Sequence, residues 1–271
     1  MKKPVDLYDS HYEKVEADVY RAVRVEAFGV DLGQTSWITA AECDDFARWL
    51  GLRQGLRVLE VACGSGGVAV RFAERYAASV VGVDVNESAV SSAMNRAERS
   101  GVSDRVQFQV GDANQTLPFP PDSFDAVFCN DSINHFRDRK HVLSDWRRVL
   151  RPGGRCLYTD PIVVTGSLSN AEIAARSSIG FFLFTPVGVN EQLIREAGFR
   201  LGLTADVTDG VAMTSRRWYD ARAKRRASLS ELEGERKFEE LQEFLAMVHT
   251  LASERRLSRF AFMGEKVKEA V

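Results

Sequence analysis

Charge of one sign is what this chain lacks most plainly: 36 lysines and arginines stand against 38 aspartates and glutamates in 271 residues, a net charge of −2. That balance makes no field for a polyanion, so neither nucleic acid nor an anionic membrane is an expected partner. Long apolar runs are missing too. The opening MKKPVDLYDSHYEK has no apolar stretch of signal-peptide length, and no segment reaches the roughly 20 residues of a membrane span, so a cytoplasmic protein is expected. Cysteine is scarce, and Cys43, Cys63, Cys129 and Cys156 show no Cys-x-x-Cys spacing. They read as free thiols. With His11, His135, His141 and His249 scattered as well, no metal site is expected. There is no internal repeat, and a homodimer is compatible with the sequence.

What is present is material for a core, 45% of it hydrophobic, enough for one large domain or one with a lid. The chain is organised around VLEVACGSGG (58–67), which reads as a buried strand, a glycine turn and the start of a helix. The helix amides after the turn would face a carboxylate or phosphate.

Two cradles share this spelling. Gly64, Gly66 and Ala69 satisfy the nicotinamide G-x-G-x-x-A fingerprint, with Asp84 about 20 residues on to hold a ribose. The stretch also resembles the first motif of class I S-adenosylmethionine (SAM) methyltransferases, an acidic residue followed by x-G/A-x-G-x-G, supplied here by Glu60, Ala62, Gly64 and Gly66. Alanine replaces the usual glycine at 62, which requires a backbone angle that alanine can adopt. Later stretches favour the second reading. VVGVDVN (80–86) ends a strand in Asp84, VQFQVGDANQTLPF (106–119) ends one in Gly111-Asp112-Ala113, FDAVFCNDSINHF (124–136) ends one in Asn130-Asp131, and LRPGGR (150–155) turns into another. This ordered set is similar to the later motifs of the same family. No tyrosine has lysine four residues on, as a short-chain dehydrogenase would need. Residues 130–135 also resemble the active-site stretch of phosphoethanolamine methyltransferases, in which an aspartate and a histidine stand at the positions of Asp131 and His135.

The resemblance implies an α/β fold: a doubly wound, seven-stranded, mostly parallel sheet with a helical cap. Strands are predicted near 57–62, 79–84, 105–110, 124–129, 155–160, 200–207 and 257–267, with helices near 67–77, 87–100, 139–149 and 189–199. The division expected is an N-terminal cap segment (1–50), a cofactor-binding core (51–208), a helical lid insertion (209–256) and a last core strand (257–271). Tyr8, Tyr12, Val15, Val19, Ala22 and Val23 recur at helical spacing in the first part, and 42–50 forms a second helix. In the insertion, Phe238, Leu241, Leu245, Val248 and Ala252 form an apolar stripe, and Gly234 divides it from an earlier helix. The basic run from Arg216 to Arg226 reads as a solvated face, or as a lid helix presenting Trp218 and Arg222 to a substrate. Phe181, Phe182 and Phe184 read as core or as a pocket wall.

By the same resemblance, SAM is the cofactor and a small molecule the methyl acceptor, through an amine, hydroxyl or carbon. A catalytically silent SAM-binding module and a NAD-dependent oxidoreductase are the alternatives. Glu60 would brace the turn or reach the methionine amino group, Asp84 would accept the ribose hydroxyls, and Asp112 the adenine amine. Ala113 would offer a backbone amide to the base, and Asn130 its carbonyl to the methionine end. Trp37 or Tyr12 would face the sulfonium, and His135 or Asp131 would take a proton from the acceptor. Gly29, Gly33 and Gly210 are candidate hinges for the cap.

Overall fold

The computed structural model describes residue 12 and residues 14–178 and 180–268; Tyr8 of the N-terminal stripe lies outside the described residues. Two helices precede the sheet, α1 (Asp18–Phe28) and α2 (Ala40–Leu50). Thr39 and Glu42 close a reciprocal capping box on α2, and Gly51 ends it in a left-handed turn, so both its ends are encoded locally. The chain then alternates through β1 (Arg57–Val61), α3 (Gly67–Tyr76), β2 (Ser79–Asp84), α4 (Glu87–Arg99), β3 (Val106–Val110), β4 (Phe124–Cys129), α5 (Arg139–Val149) and β5 (Leu150–Val164). There follow α6 (Asn170–Arg176), the two-residue β6 (Thr185–Pro186), α7 (Val189–Glu196), β7 (Arg200–Asp206), α8 (Thr208–Ala223), α9 (Arg226–Glu233), α10 (Glu235–Ser253) and β8 (Leu257–Glu265).

The strands form one sheet in the order β3-β2-β1-β4-β5-β8-β7, with β6 pairing the end of β5. β8 is antiparallel to both of its neighbours, and the pairs among β1 to β5 are parallel. The doubly wound sheet is thus the expected one with a small eighth strand added. One face buries Phe46, Phe72 and Phe128 under α2, α3 and α4; the other buries Leu143, Trp146 and Ile194 under α5 and α7. The predicted turn at 150–155 is absorbed into β5, whose pairing with β4 shifts between Phe124 and Ala126. Chain order reverses between β1 and β4, and a crevice opens beyond the carboxyl ends of strands at such a reversal.

A second layer covers that crevice. Tyr20, Phe28, Trp37, Trp218, Leu229, Phe238 and Leu245 form a separate apolar cluster among α1, α8, α9 and α10, with Trp218 edge-on to Phe28 at 5.4 Å and to Trp37 at 5.9 Å. Gly234, at φ +87°, separates α9 from α10 as the sequence suggests. The break between α8 and α9 is marked by no glycine or proline. Most charges of the basic run are spent within the chain: Arg216 pairs with Asp220, Lys224 and Arg225 with Glu26, and Arg226 with Glu235 and Glu239. Arg222 departs from expectation. It is fully buried, bonded to Glu233 and Gln242, and presents nothing to a substrate.

The segment between α1 and α2 lies directly on the glycine turn. Ser65 Oγ donates to the Gly33 carbonyl at 3.0 Å, while Asp31 accepts from Arg24 at 2.6 Å and from the Gly33 amide at 2.7 Å. A Cβ on Gly67 would run into the Leu32 carbonyl oxygen, and one on Gly33 into Ser65 Oγ. Of the three candidate hinges, Gly210 is corrected: it sits in the first turn of α8, where a Cβ would lie 2.8 Å from Glu42 Oε1. It serves close packing. Because alanine is favoured over glycine by about 1 kcal/mol inside a helix that nothing touches, the sign of its effect at Gly67 is informative. We expect Gly67→Ala to destabilise the protein by about 1–3 kcal/mol in chemical denaturation; a rise in stability would show that the 31–36 segment is not seated on the turn.

Candidate active site

After β1 the backbone turns through Ala62 (φ +55°), Gly64 (φ +53°) and Gly66 (φ +74°). Alanine does adopt the left-handed angle, at a cost of about 1–2 kcal/mol. What holds the turn is Asp84 at the end of β2: Oδ2 accepts the Gly64 amide at 2.8 Å and Oδ1 the Asn86 amide at 2.9 Å. Burial raises the Asp84 pKa, and those backbone hydrogen bonds oppose the rise. Glu60 lies beneath the turn, 3% exposed. It accepts the Ala69 amide at the start of α3, and its Oε2 is buried without a partner. Burial pushes its pKa up to about 8.

One cavity of about 770 Å³ collects the candidates. Glu60, Ala62, Gly64, Asp84, Asp112, Ala113, Asn130, Asp131, His135, Tyr12 and Trp37 all line it. Gly66 does not. A Cβ there would lie 2.6 Å from Phe108 and 2.7 Å from Ala93, so its small size lets α3 approach the sheet rather than admitting a ligand. Asp112 is exposed, with Oδ1 taken by the Asn114 amide at 2.9 Å. The Tyr12 hydroxyl lies 3.2 Å from Thr35 Oγ1 and over Gly64, where a Cβ would come within 2.8 Å of it. The Asn130 carbonyl accepts from Ser132 Oγ at 3.1 Å, and its side chain is fixed by Ser36 and Arg259 at 2.7 and 2.9 Å.

Asp131 is placed differently from the expected proton acceptor. Its Oδ1 is 2.7 Å from Arg259 Nε and 2.7 Å from Thr159 Oγ1, and its Oδ2 accepts the Trp37 amide at 3.0 Å. A carboxylate held by a buried guanidinium is a brace, not a base. His135 is better placed. Its Nδ1 donates to the Phe181 carbonyl at 2.9 Å, which leaves Nε2 as the acceptor nitrogen, and its ring rests 4.7 Å from that of Phe182. Burial lowers its pKa and so favours the neutral imidazole, partly opposed by the Phe181 bond. Phe181, 46% exposed, and Phe182 both line the cavity. Sequence reading missed Arg259, which is fully buried and also bonds Glu42 Oε1 at 2.7 Å. A lone arginine inside the apolar run LSRFAFM was the available signal. Arg176, Tyr20, Glu233 and Lys237, which line the cavity as Arg259 does not, had none.

Residues 58–154 match the methyltransferase domain family. The chain is 36% identical to 27-O-demethylrifamycin SV methyltransferase of Amycolatopsis mediterranei over 168 residues, 61% of each chain. It is 30% identical to phosphoethanolamine N-methyltransferase 1 of Arabidopsis thaliana over 176 residues, 65% of this chain and 35% of that one. The matches therefore span less than two thirds of either relative. Among solved structures, a cyclopropane synthase of Mycobacterium tuberculosis superposes with a TM-score of 0.82 at 16% identity, covering 96% of this chain and 97% of that one. The fold is that of the class I methyltransferases, and residues 58–154 match a methyltransferase domain.

Glu60 gives a test without any ligand. Its folded pKa of about 8 lies above the ordinary 4.5, so folding takes up a proton between those values. The favourable contribution is complete below the unfolded pKa and is lost as pH rises through the folded one. We expect the ligand-free protein to lose stability from pH 5 to pH 8 by a few kcal/mol more than Glu60→Gln does. Parallel pH profiles would contradict the burial of an unpaired carboxyl.

Proposed function

We propose that the protein is an SAM-dependent methyltransferase acting on a small molecule, and that its site divides between a cofactor cradle on the sheet and an acceptor chamber under the cap. The observation that carries this reading is the buried, partnerless Glu60 Oε2 at the foot of a glycine turn, in one cavity with Asp84 and Asp112. A ligand with an ammonium group, a ribose diol and an exocyclic amine suits those three carboxyls. Bound SAM would supply an electrophilic methyl group.

The chain's own residues supply placement and dryness. Glu60 would hold the methionine ammonium, Asp84 the ribose hydroxyls through its remaining lone pairs, and Asp112 the adenine amine through Oδ2. The Ala113 amide would meet the base, and the Asn130 carbonyl the methionine end. Trp37 and Tyr12 would exclude water beside the reacting carbon, and His135 Nε2 would accept the proton of an amine or hydroxyl acceptor. The described residues of 1–50 and 209–256 act as cap and lid on those of the core, 51–208 and 257–271. The four buried thiols suit the reducing cytoplasm.

Asp84→Ala should weaken SAM binding in calorimetry by roughly 2–4 kcal/mol while the variant stays folded; an unchanged dissociation constant would sink the cradle assignment. Product mass from a panel of amines, phenols and carboxylic acids separates an enzyme from a silent binding module. If the cap closes on the cofactor, hydrogen exchange in residues 14–40 and 208–233 slows when S-adenosylhomocysteine is added. Unaltered exchange there would make the cap static packing.

A further inference from the structure

We infer that Glu60 makes the cradle selective for a ligand carrying an ammonium group: the side chain stays protonated while no ligand is bound and gives up that proton when the ammonium enters. This rests on the methyltransferase reading for the identity of the ligand and goes beyond it in tying the cradle's affinity to pH.

Glu60 lies one residue from the end of β1, buried, with its side chain in the wall of the cavity. The Ala69 amide of α3 donates to it, and Oε2 has no partner among the described residues. The titratable groups around it are acids or thiols: Asp84 at the end of β2, Cys43 on α2, Cys63 in the turn and Cys129 at the end of β4. Arg71 of α3, which faces Cys43, is paired with Asp44. No cation among the described residues acts on Glu60. An ionised carboxylate there would be buried, unpaired and beside the charge of Asp84, so the neutral acid is the stable form, and the pKa pushed up to about 8 agrees. Asp84 shows what keeps a carboxylate charged at this depth: the amides of Gly64, Asn86 and Val85 all oppose the effect of its burial. Glu60 has the Ala69 amide alone to do so.

An ammonium group placed against Oε2 reverses the preference. It supplies the opposite charge and the missing donor together, so the bound pair is carboxylate and ammonium. The carboxyl O–H bond breaks, its proton passes to the buffer, and the ligand keeps its three N–H bonds. A ligand without the ammonium meets a neutral acid and exchanges nothing. Discrimination between the two therefore widens as pH rises towards the pKa of the unliganded carboxyl. Asp84 and Asp112, on the ribose and adenine side, face both ligands alike and do not produce the difference.

The experiment is titration calorimetry of the full chain with S-adenosylhomocysteine and with its deamino analogue, which keeps the carboxylate. Both are run at pH 6 in phosphate and in bis-Tris, whose ionisation enthalpies differ. At that pH an α-amino group, with an ordinary pKa of about 7.7–8.0, is charged, and Glu60 is almost wholly neutral. The difference in heat between the buffers gives the protons exchanged: about one released per S-adenosylhomocysteine and none for the deamino analogue. S-adenosylhomocysteine should also bind roughly 10-fold more tightly at pH 7 than at pH 6, while the affinity of the deamino analogue stays level. Glu60→Gln should release no proton with either ligand and lose the pH dependence. Binding of S-adenosylhomocysteine without proton release, equal release by both ligands, or release that persists in Glu60→Gln would overturn the inference while leaving the cradle in place. No binding of S-adenosylhomocysteine at all would remove the cradle reading, and this inference with it. The wild-type comparison of the two ligands decides the matter if Glu60→Gln does not fold.

Discussion

The guanidinium of Arg259 lies near the start of β8 with no access to solvent, and the end of β4 and the beginnings of α2 and α8 are tied to it. Nε and Nη1 reach Asp131 and Glu42, both at 2.7 Å, and Nη2 reaches Asn130 at 2.9 Å. Burial alone would lower its pKa, but the charges of Asp131 and Glu42 outweigh burial and hold it up. A buried ion cluster of this kind is weak evidence for net stability, because desolvation offsets most of the attraction. Its value is geometric. Glu42 is the capping-box residue of α2, Asp131 holds the Trp37 amide, and the backbone amide of Arg259 donates to Thr208 Oγ1 at the start of α8. One side chain therefore fixes where the cap's two halves begin relative to the end of β4.

A second buried arginine does the corresponding work on the far side. Arg139 Nη1 bonds Asp160 at 2.7 Å and Asn190 at 3.0 Å, and its Nη2 takes the Leu183 carbonyl at 2.8 Å. Leu183 also donates its amide to the Asn134 carbonyl at 2.9 Å, so the 180–186 stretch is stitched to the turn that carries His135. Phe181 and Phe182 follow from that anchoring. The imidazole meets the Phe181 carbonyl because the polar network, not the aromatic cluster, positions the segment.

The parallel core was legible because its signals are local. Apolar runs ending in Asp84, Asp112 and Asn130 mark strand ends, and the glycine turn marks the crevice, without any knowledge of distant contacts. The charged groups were legible only as residue types. Asp131 and Arg222 look like functional side chains in the sequence, but their partners Arg259 and Glu233 lie 128 and 11 residues away, and those partners make them structural. Gly66 and Gly210 fail for the same reason: a glycine permits a turn or a close approach, and only the neighbour decides which. Arg176 gave no signal at all, since a short polar helix ending in arginine is ordinary until two aromatic rings close around it.

Two of the non-glycine residues at positive φ, Ala62 at +55° and Asp131 at +54°, stand just beyond the ends of β1 and β4, the adjacent strands between which the chain order reverses. Strain of this sort costs about 1–3 kcal/mol per residue and persists only where surrounding contacts over-determine it. Here they do: Asp84 pins the backbone two residues beyond Ala62, while Thr159, Trp37 and Arg259 pin Asp131. The floor of the cavity is therefore set before any ligand arrives. Ordering it costs a ligand little, and the apolar cluster above it is distinct from the two that pack the sheet. A rigid cradle beneath a separately packed cap allows the acceptor wall to differ between proteins of one fold without disturbing the glycine turn.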